Sequence, residues 1–152
     1  MIWPFVRDIL VAGDTYVVDA DMSEESARHW WMRPVGDGTT LVATDGDGTI
    51  MGTAELCRNH GGPGAHIANA SFMVDPAHGR KGVGRALVAA VIDACRADGY
   101  LGIQFNAVAE TNRHAVRLYQ DLGFTILATV PNGFRHPSEG LVGLHVMYLD
   151  LT

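Results

Sequence analysis

A chain of 152 residues, 47% hydrophobic and 18% charged, is long enough to bury the core of one globular domain and does not have the composition of a disordered protein. Its net charge of −6 argues against nucleic acid as a partner, because a phosphate backbone needs a basic surface. No apolar run approaches the roughly 20 residues of a membrane span, and Met1 to Pro4 lack a basic signal-peptide start, so we expect a cytoplasmic protein without a membrane partner.

Two helices are predicted before any strand. The first extends over residues 4–12, because proline is favoured at helix starts, and the second extends from the N-cap Ser23 through Trp31. Two adjacent tryptophans cannot both face one core. We therefore expect Trp30 or Trp31 at a surface or cleft, with simple partial burial as the alternative.

From Thr39 the spacing of apolar residues becomes that of strands. Strands over 40–44 and 49–56 flank a Gly-Asp-Gly turn, and a third strand over 66–75 leads into a glycine-rich turn. The next helix begins at Val83 and ends at Gly99, and a strand over 101–109 completes a strand–helix–strand unit.

The last third of the chain is predicted to contain one helix and two strands. The helix begins near Asn112 and ends at Gly123, and the strands extend over 125–130 and 141–149. The segment 131–137, rich in proline, asparagine and glycine, is expected to be a loop.

The glycine-rich turn over 78–87 predicts a pyrophosphate site. Glycine lets a ligand approach the main chain, and the free N–H groups of the following helix turn point at the anion. The segment 80–117 also carries six basic and three acidic residues, a local charge of +3 in an acidic chain. A Walker A loop is absent and the turn does not complete GxGxxG, so ATP, GTP and NAD are disfavoured as ligands.

Two blocks resemble the GCN5-related N-acetyltransferase (GNAT) superfamily. The segment 74–87 is similar to its pyrophosphate motif, and 112–124 fits N-x-x-A-x-x-L-Y-x-x-x-G-F. In the first block Gly79 departs from the usual Gln or Arg, although Arg80 is adjacent. The resemblance covers residues 40–150, and less securely the N-terminal helices.

The resemblance implies an α/β (α+β) fold of GNAT type. Its central mixed sheet would be mostly antiparallel and twisted, with a splayed parallel pair formed by the family's fourth and fifth strands and with helices on both faces. The family's first strand precedes the first helix, and Met1 to Trp3 are too short for it. That strand is therefore missing here or replaced by another part of the chain. We expect residues 1–152 to form a single N-acetyltransferase domain.

The implied activity is direct transfer of an acetyl group from acetyl-CoA to an amine through a tetrahedral intermediate. Tyr119 matches the family's proton donor to the leaving thiolate and also contacts the cofactor, and Asn112 matches the position that contacts the cofactor arm. The remaining cofactor-binding residues expected from the resemblance are Phe72, Met73, Val74, Arg80, Lys81, Gly82, Val83, Gly84 and Arg85.

The strand over 66–74 lacks the Glu or Asp that many relatives use as a base. Asn69 lies there instead, and an amide can orient an amine or donate to an oxyanion but cannot usefully accept a proton. Deprotonation is then left to water, to Glu55 or to His66, if these side chains line the cleft. An ordinary exposed glutamate and a strand histidine are the alternatives.

Asn106 is unusual in a strand, where asparagine is depleted, so we expect it near Asn69 at the substrate. With Asn112, these residues resemble the asparagines of GNAT enzymes that acetylate azetidine-2-carboxylate and related proline analogues. That resemblance suggests an amino acid or proline analogue as acceptor, with catalytic roles for Asn69 and Asn106 and with Glu55 and Trp31 as further substrate contacts.

Two other functions remain open. The chain could be a non-catalytic module that binds acetyl-CoA for regulation, because fold does not fix function, or it could acetylate a protein or peptide. By analogy within the family we expect a homodimer. The histidines have no ligand spacing and the chemistry needs no metal, so none is expected, and Cys57 and Cys95 are expected to be reduced and buried.

Overall fold

The structure is a computed structural model, which describes residues 1–34, 36–79 and 81–152. Four helices and six strands lie within these ranges. In chain order they are α1 (Trp3–Ala12), α2 (Glu24–Trp31), β1 (Gly38–Thr44), β2 (Ile50–Arg58), β3 (Ile67–Val74), α3 (Val83–Ala97), β4 (Gly102–Ala109), α4 (Arg113–Asp121), β5 (Thr125–His136) and β6 (Gly140–Asp150).

The strands form one mixed sheet in the order β1-β2-β3-β4-β6-β5. Every neighbouring pair is antiparallel except β3 and β4, which are parallel. The connection between these two strands is α3, as the sequence pattern predicted. Among the described residues no strand precedes α1, and the expected mixed, mostly antiparallel sheet with one parallel pair is confirmed.

Helices cover both faces of the sheet, because side chains alternate along each strand. On one face, Val88 and Val91 of α3 pack with Ala70 of β3 in the larger apolar cluster, and α4 adds partly buried side chains. On the other face, α1 and Trp31 of α2 pack with Met73 of β3 in a smaller cluster. β3 therefore lies between two helical layers, one formed by α3 and α4 and the other by α1 and α2.

The end of the chain differs from the sequence prediction. Most of the expected loop over 131–137 belongs to β5, which extends to His136 and pairs with β6. The pairing shifts register after Val130, and Asn132 has a φ of 54°. Pro131 has no N–H to donate and asparagine tolerates the left-handed region, so a bulge accommodates these residues inside the strand.

None of the helices in the described residues combines the length and the apolar character that crossing a bilayer requires.

Candidate active site

A gap opens between β3 and β4. Their parallel register comprises two residue pairs, Ile67 with Gly102 and Ala68 with Ile103, and the described residues form no further pair along these strands. Beyond Ala68, β3 pairs with β2 alone on one side while β4 pairs with β6. The strands therefore diverge toward their carboxyl ends and leave one edge of β3 open.

Main-chain groups of the even-numbered residues of β3 face this gap. Asn59 N donates to Ile67 O at 2.7 Å and Asp75 N donates to Met51 O at 2.9 Å, so the odd-numbered residues direct their N–H and C=O groups toward β2. Alternate residues of an antiparallel strand point in opposite directions. Phe72 and Val74 consequently present main-chain groups to the gap, as a pantetheine arm would require.

Met73 differs from the other two residues of the predicted cofactor strand. Its carbonyl faces β2, where a Cβ atom added to Gly52 would lie 2.9 Å from Met73 O. Its side chain is 1% exposed and packs with α1. Met73 was expected among the cofactor-binding residues, but neither its carbonyl nor its side chain faces the gap.

The glycine-rich turn places the amino end of α3 beside this gap. Gly82 is the N-cap residue of α3 with a φ of 78°, a conformation that glycine adopts without strain. The first helical hydrogen bond is donated by Ala86 N to Gly82 O, which leaves the N–H groups of Val83, Gly84 and Arg85 free within the helix. These groups and the exposed Lys81 are the candidate anion site, because free N–H groups at a helix start favour negative charge.

Three further residues of the turn were predicted to bind the cofactor. Arg80 lies outside the described residues. The Arg85 guanidinium donates to Asp121 at 3.1 Å and thereby joins α3 to α4, so its side chain serves the scaffold while its N–H faces the anion site. The side chain of Val83 is 6% exposed and belongs to the apolar core.

Asn112 and Tyr119 belong to the helix that follows β4. Asn112 is the N-cap of α4, and its side-chain oxygen accepts a hydrogen bond from Ala115 N at 3.4 Å. The Tyr119 ring centroid lies 4.7 Å from that of Phe105 and 6.0 Å from that of Phe72, one residue from each diverging strand. Burial raises the pKa of Tyr119 above its ordinary value of 10.0, so the phenol keeps its proton.

Glu55 lies on the opposite face of the sheet from α3, on β2. Its side chain is 4% exposed, and Arg33 Nε donates to its Oε2 at 3.0 Å. Its other oxygen accepts a hydrogen bond from Ser71 Oγ at 3.1 Å. Because Ser71 belongs to the part of β3 beyond the β4 pairing, a buried carboxylate is joined through one hydroxyl to the wall of the gap.

Amides form the other polar group on this face. Gln104 Nε2 donates to Asn106 Oδ1 at 2.9 Å, and Asn106 Nδ2 donates to Asn59 Oδ1 at 2.7 Å. Asn59 Nδ2 is buried and has no partner in the described part of the chain. Asn69, half-buried on β3, projects from the same face of the sheet.

Two predicted contacts are placed elsewhere. The Trp31 side chain is 1% exposed and its Nε1 donates to Thr53 Oγ1 at 3.0 Å, so Trp31 is a core residue rather than part of a cleft wall. His66 precedes β3, and its carbonyl accepts a hydrogen bond from Leu101 N at 2.9 Å at the closed end of the strand pair. Its imidazole is therefore far along the strand from the opening at Phe72.

Sequence reasoning missed three residues of this face. Arg33 and Asn59 lie in loops and join the site only through partners distant in sequence. Tyr16, in the loop before α2, donates from its hydroxyl to Phe72 O at 2.6 Å. A single tyrosine in a loop gives no periodic signal, and nothing in the sequence marks it as a site residue.

The described residues contain no group of three or more His, Cys, Asp or Glu side chains that could hold a metal ion.

Comparisons with known proteins agree with this geometry. Residues 3–124 match the model of a family described as the acetyltransferase (GNAT) family. A structure of a GCN5-related N-acetyltransferase from Kribbella flavida is 52% identical, with a TM-score of 0.95, and the match covers 97% of this chain and 89% of that one.

Two curated relatives are also similar. N-acetyltransferase aca1 of Schizosaccharomyces pombe is 27% identical over 93% of this chain and 75% of its own length. An L-methionine sulfoximine/L-methionine sulfone acetyltransferase of Salmonella typhimurium is 30% identical over 74% of this chain and 66% of its own length.

Proposed function

The chain belongs to the acetyltransferase (GNAT) family, and we propose that residues 1–152 act as one N-acetyltransferase domain that moves an acetyl group from acetyl-CoA to the amine of a small molecule. The observation that carries this proposal is the gap between β3 and β4. It joins an open main-chain edge at Phe72 and Val74, an anion site at Gly82 and a protonated phenol at Tyr119.

The residues at the gap fit acetyl-CoA as a substrate. The N–H groups at the start of α3 and Lys81 suit a pyrophosphate, and the edge of β3 suits an arm that contains amide groups. Asn112 lies at the start of α4, where its side-chain N–H₂ can reach that arm. Transfer by direct attack through a tetrahedral intermediate then needs a neutral amine and a proton for the leaving thiolate.

The acceptor amine belongs on the polar face of the sheet. Asn69 and Asn106 orient it or stabilise the developing oxyanion, because an amide N–H is a donor of fixed geometry. The excess proton passes to Ser71 Oγ while Ser71 gives its own proton to Glu55 Oε1, across the 3.1 Å hydrogen bond. Tyr119 supplies the proton to the thiolate, since burial keeps its phenol protonated.

The acceptor is an amino acid or a proline analogue in this proposal. The support is the name of the Salmonella relative, which acts on amino-acid derivatives, together with the asparagines at positions 69, 106 and 112. A face of the sheet that carries several amides and the ion pair of Arg33 and Glu55 suits a small polar molecule better than an apolar amine.

The proposal also includes that two copies of this chain form a homodimer in the cytoplasm. The exposed apolar side chains of the β5–β6 hairpin, Ile126, Leu127, Val130 and Leu141, lie at an edge of the sheet and support a second copy there. Light scattering coupled to gel filtration should report twice the mass of one chain. The mass of a single chain would contradict the dimer without affecting the proposed chemistry.

The experiment that tests the function is thiol release from acetyl-CoA in the presence of single amines. The panel contains amino acids, azetidine-2-carboxylate, decarboxylated amines and a short peptide, and the N-acetyl product is identified by mass spectrometry. We expect turnover with at least one amino acid. Binding of acetyl-CoA without turnover would favour a regulatory module, turnover of the peptide alone would favour a peptide acetyltransferase, and failure to bind acetyl-CoA would contradict both alternatives and the proposal.

A further inference from the structure

Tyr16 reaches the gap from outside the sheet. Its hydroxyl donates to Phe72 O at 2.6 Å, across 56 residues of sequence. Its ring packs edge-on against Trp30 and Trp31, with centroid distances of 5.6 and 6.3 Å. The aromatic contacts hold the ring in place, so the position of the hydroxyl is determined by the fold rather than by the loop alone.

The carbonyl that Tyr16 contacts is one of the groups that face the gap. Phe72 lies beyond the last β3–β4 pair, and its main chain points away from β2. A carbonyl oxygen has two lone pairs, so Phe72 O can accept from Tyr16 and from one ligand N–H at once. Tyr16 therefore lies beside the gap at Phe72 and leaves Phe72 O able to bind a ligand.

The hydroxyl of Tyr16 donates its proton to Phe72 O, and no group in the described residues donates a hydrogen bond to its oxygen. Burial raises the pKa of Tyr16 well above its ordinary value, and the negative charge of Glu55 adds a smaller increase, so the phenol is neutral. A neutral phenol that donates to a carbonyl can accept a hydrogen bond but cannot take up a proton.

We propose that Tyr16 is an amine-binding residue of the acetyltransferase site, whose hydroxyl oxygen accepts a hydrogen bond from an N–H of the acceptor amine while donating to Phe72 O. This inference rests on the proposed function. During the reaction the Tyr16 hydroxyl keeps its proton and forms no covalent bond. The amine keeps the N–H that contacts Tyr16 and loses its other N–H proton to Ser71 Oγ. Ser71 is next to Phe72 in β3, so the two contacts of the amine nitrogen lie at adjacent residues of one strand.

The contact predicts a preference among amines. A neutral primary amine has two N–H groups, one for Tyr16 and one for Ser71. A secondary amine such as azetidine-2-carboxylate has a single N–H, which has to leave as the bond to carbon forms. Tyr16 therefore assists primary amines more than secondary ones.

The test is Tyr16→Phe, which keeps the ring and its packing against the tryptophans. Tyr100→Phe is the matched control, because Tyr100 follows α3 at the closed end of the β3–β4 pair. We expect Tyr16→Phe to lower kcat/KM for a primary amino acid about 10-fold and to leave the acetyl-CoA dissociation constant unchanged, since one neutral hydrogen bond to the amine is lost. The melting temperature should fall by only a few degrees, because the hydrogen bond to Phe72 O is lost as well. Azetidine-2-carboxylate should be affected less.

Amine binding measured by calorimetry in the presence of CoA gives a readout without turnover. An amine affinity about 10-fold weaker in Tyr16→Phe supports the inference even if no amine is acetylated, a result that would contradict the proposed function alone. Unchanged amine affinity and unchanged kcat/KM would overturn the inference. So would tighter acetyl-CoA binding by Tyr16→Phe with the amine unaffected, because Tyr16 would then be a group that the cofactor displaces.

Discussion

The two faces of β3 differ in how they contribute to the site. Toward α3 and α4, the side chains of Ala70, Phe72 and Val74 are apolar and pack into the core, and the main chain alone faces the gap. Toward α1 and α2, Asn69 and Ser71 present polar side chains. In the proposed function, this one strand of eight residues offers backbone to the cofactor and side chains to the acceptor.

This difference explains why the proposed cofactor part of the site is easier to predict from the sequence than the proposed acceptor part. A main-chain site needs a particular backbone path, and that path depends on contiguous residues such as those around Gly82. A side-chain site needs chemical groups, and these come from separate elements, including Arg33, Glu55, Asn59 and Asn106. Changes on the acceptor face should therefore affect turnover, and changes in the turn should affect cofactor affinity.

The largest expected effect is loss of the proposed proton path. Ser71→Ala removes the hydroxyl but leaves the ion pair of Arg33 and Glu55 in place, so the fold should be retained. We expect kcat/KM to fall about 1000-fold, within the range of general acid–base contributions, with acetyl-CoA affinity unchanged. Steady-state kinetics and calorimetry check both values.

Glu55→Gln should have a similar effect, whereas Asp37→Asn, in an exposed ion pair with Arg58, should have almost none. Full activity in Ser71→Ala would contradict the path and leave water as the base.

Tyr119→Phe should lower kcat about 100-fold, because the leaving thiolate loses its proton donor while the aromatic packing is kept. The kcat is measured with an amino acid identified by the amine panel. Tyr148→Phe is a matched control on β6. Equal kcat values for Tyr119→Phe and the unmodified protein would show that Tyr119 is a core aromatic only.

Gly82→Ala tests the glycine-rich turn before α3, and Gly48→Ala, in the turn between β1 and β2, is its control. Both glycines have positive φ values, 78° and 83°, and an added Cβ would meet no atom within 4 Å at either position. Each change should lower the free energy of unfolding by about 1 kcal/mol through backbone strain alone. Gly82→Ala should in addition weaken acetyl-CoA binding about 10-fold, as the N–H groups of α3 shift.

Equal acetyl-CoA affinity in the two glycine variants would contradict the anion site at α3.

The smallest expected effect concerns alkaline stability. The pKa of Tyr119 and the pKa of Tyr16 are raised above the ordinary 10.0 by burial, so the folded chain retains protons that the unfolded chain loses. The contribution of these two phenols to the free energy of unfolding should be fully present below that ordinary value and should be lost as the pH rises past it. Denaturant unfolding at increasing pH checks this, and the fall should be smaller in Tyr119→Phe.

Burial also raises the pKa of Cys95 to about 12, so this thiol adds to the same alkaline loss. It should not react with thiol reagents in the folded chain at mildly alkaline pH. A rapid reaction of Cys95 would contradict its burial and would interfere with the thiol-release assay.

Local patterns predicted most elements of the fold. Helix caps and stops such as Ser23 and Gly99, and the strand–turn–helix order at Gly82, act over a few residues, and the structure reproduces them. The exception is the segment around Asn132, where turn-forming residues occupy a bulge, because pairing with β6 outweighs local preference.

The acceptor side was predictable only in part. Asn69 and Asn106 are polar residues in strands, which is a signal in itself, and the structure places both on one face. Tyr16 and Arg33 lie in loops, and their partners Phe72 and Glu55 are 56 and 22 residues away. No local rule connects such residues, since tertiary packing alone brings them together.

The contrast between the faces of β3 is tested most directly by the double variant Asn69→Ala, Asn106→Ala. Its acetyl-CoA dissociation constant and its kcat/KM for the acceptor amine are measured on the same preparation. We predict a dissociation constant within about twofold of the unmodified value and a kcat/KM about 100-fold lower, as lost amide donors would produce. An unchanged kcat/KM, or a parallel loss of cofactor binding, would contradict the division of β3 into a cofactor face and an acceptor face.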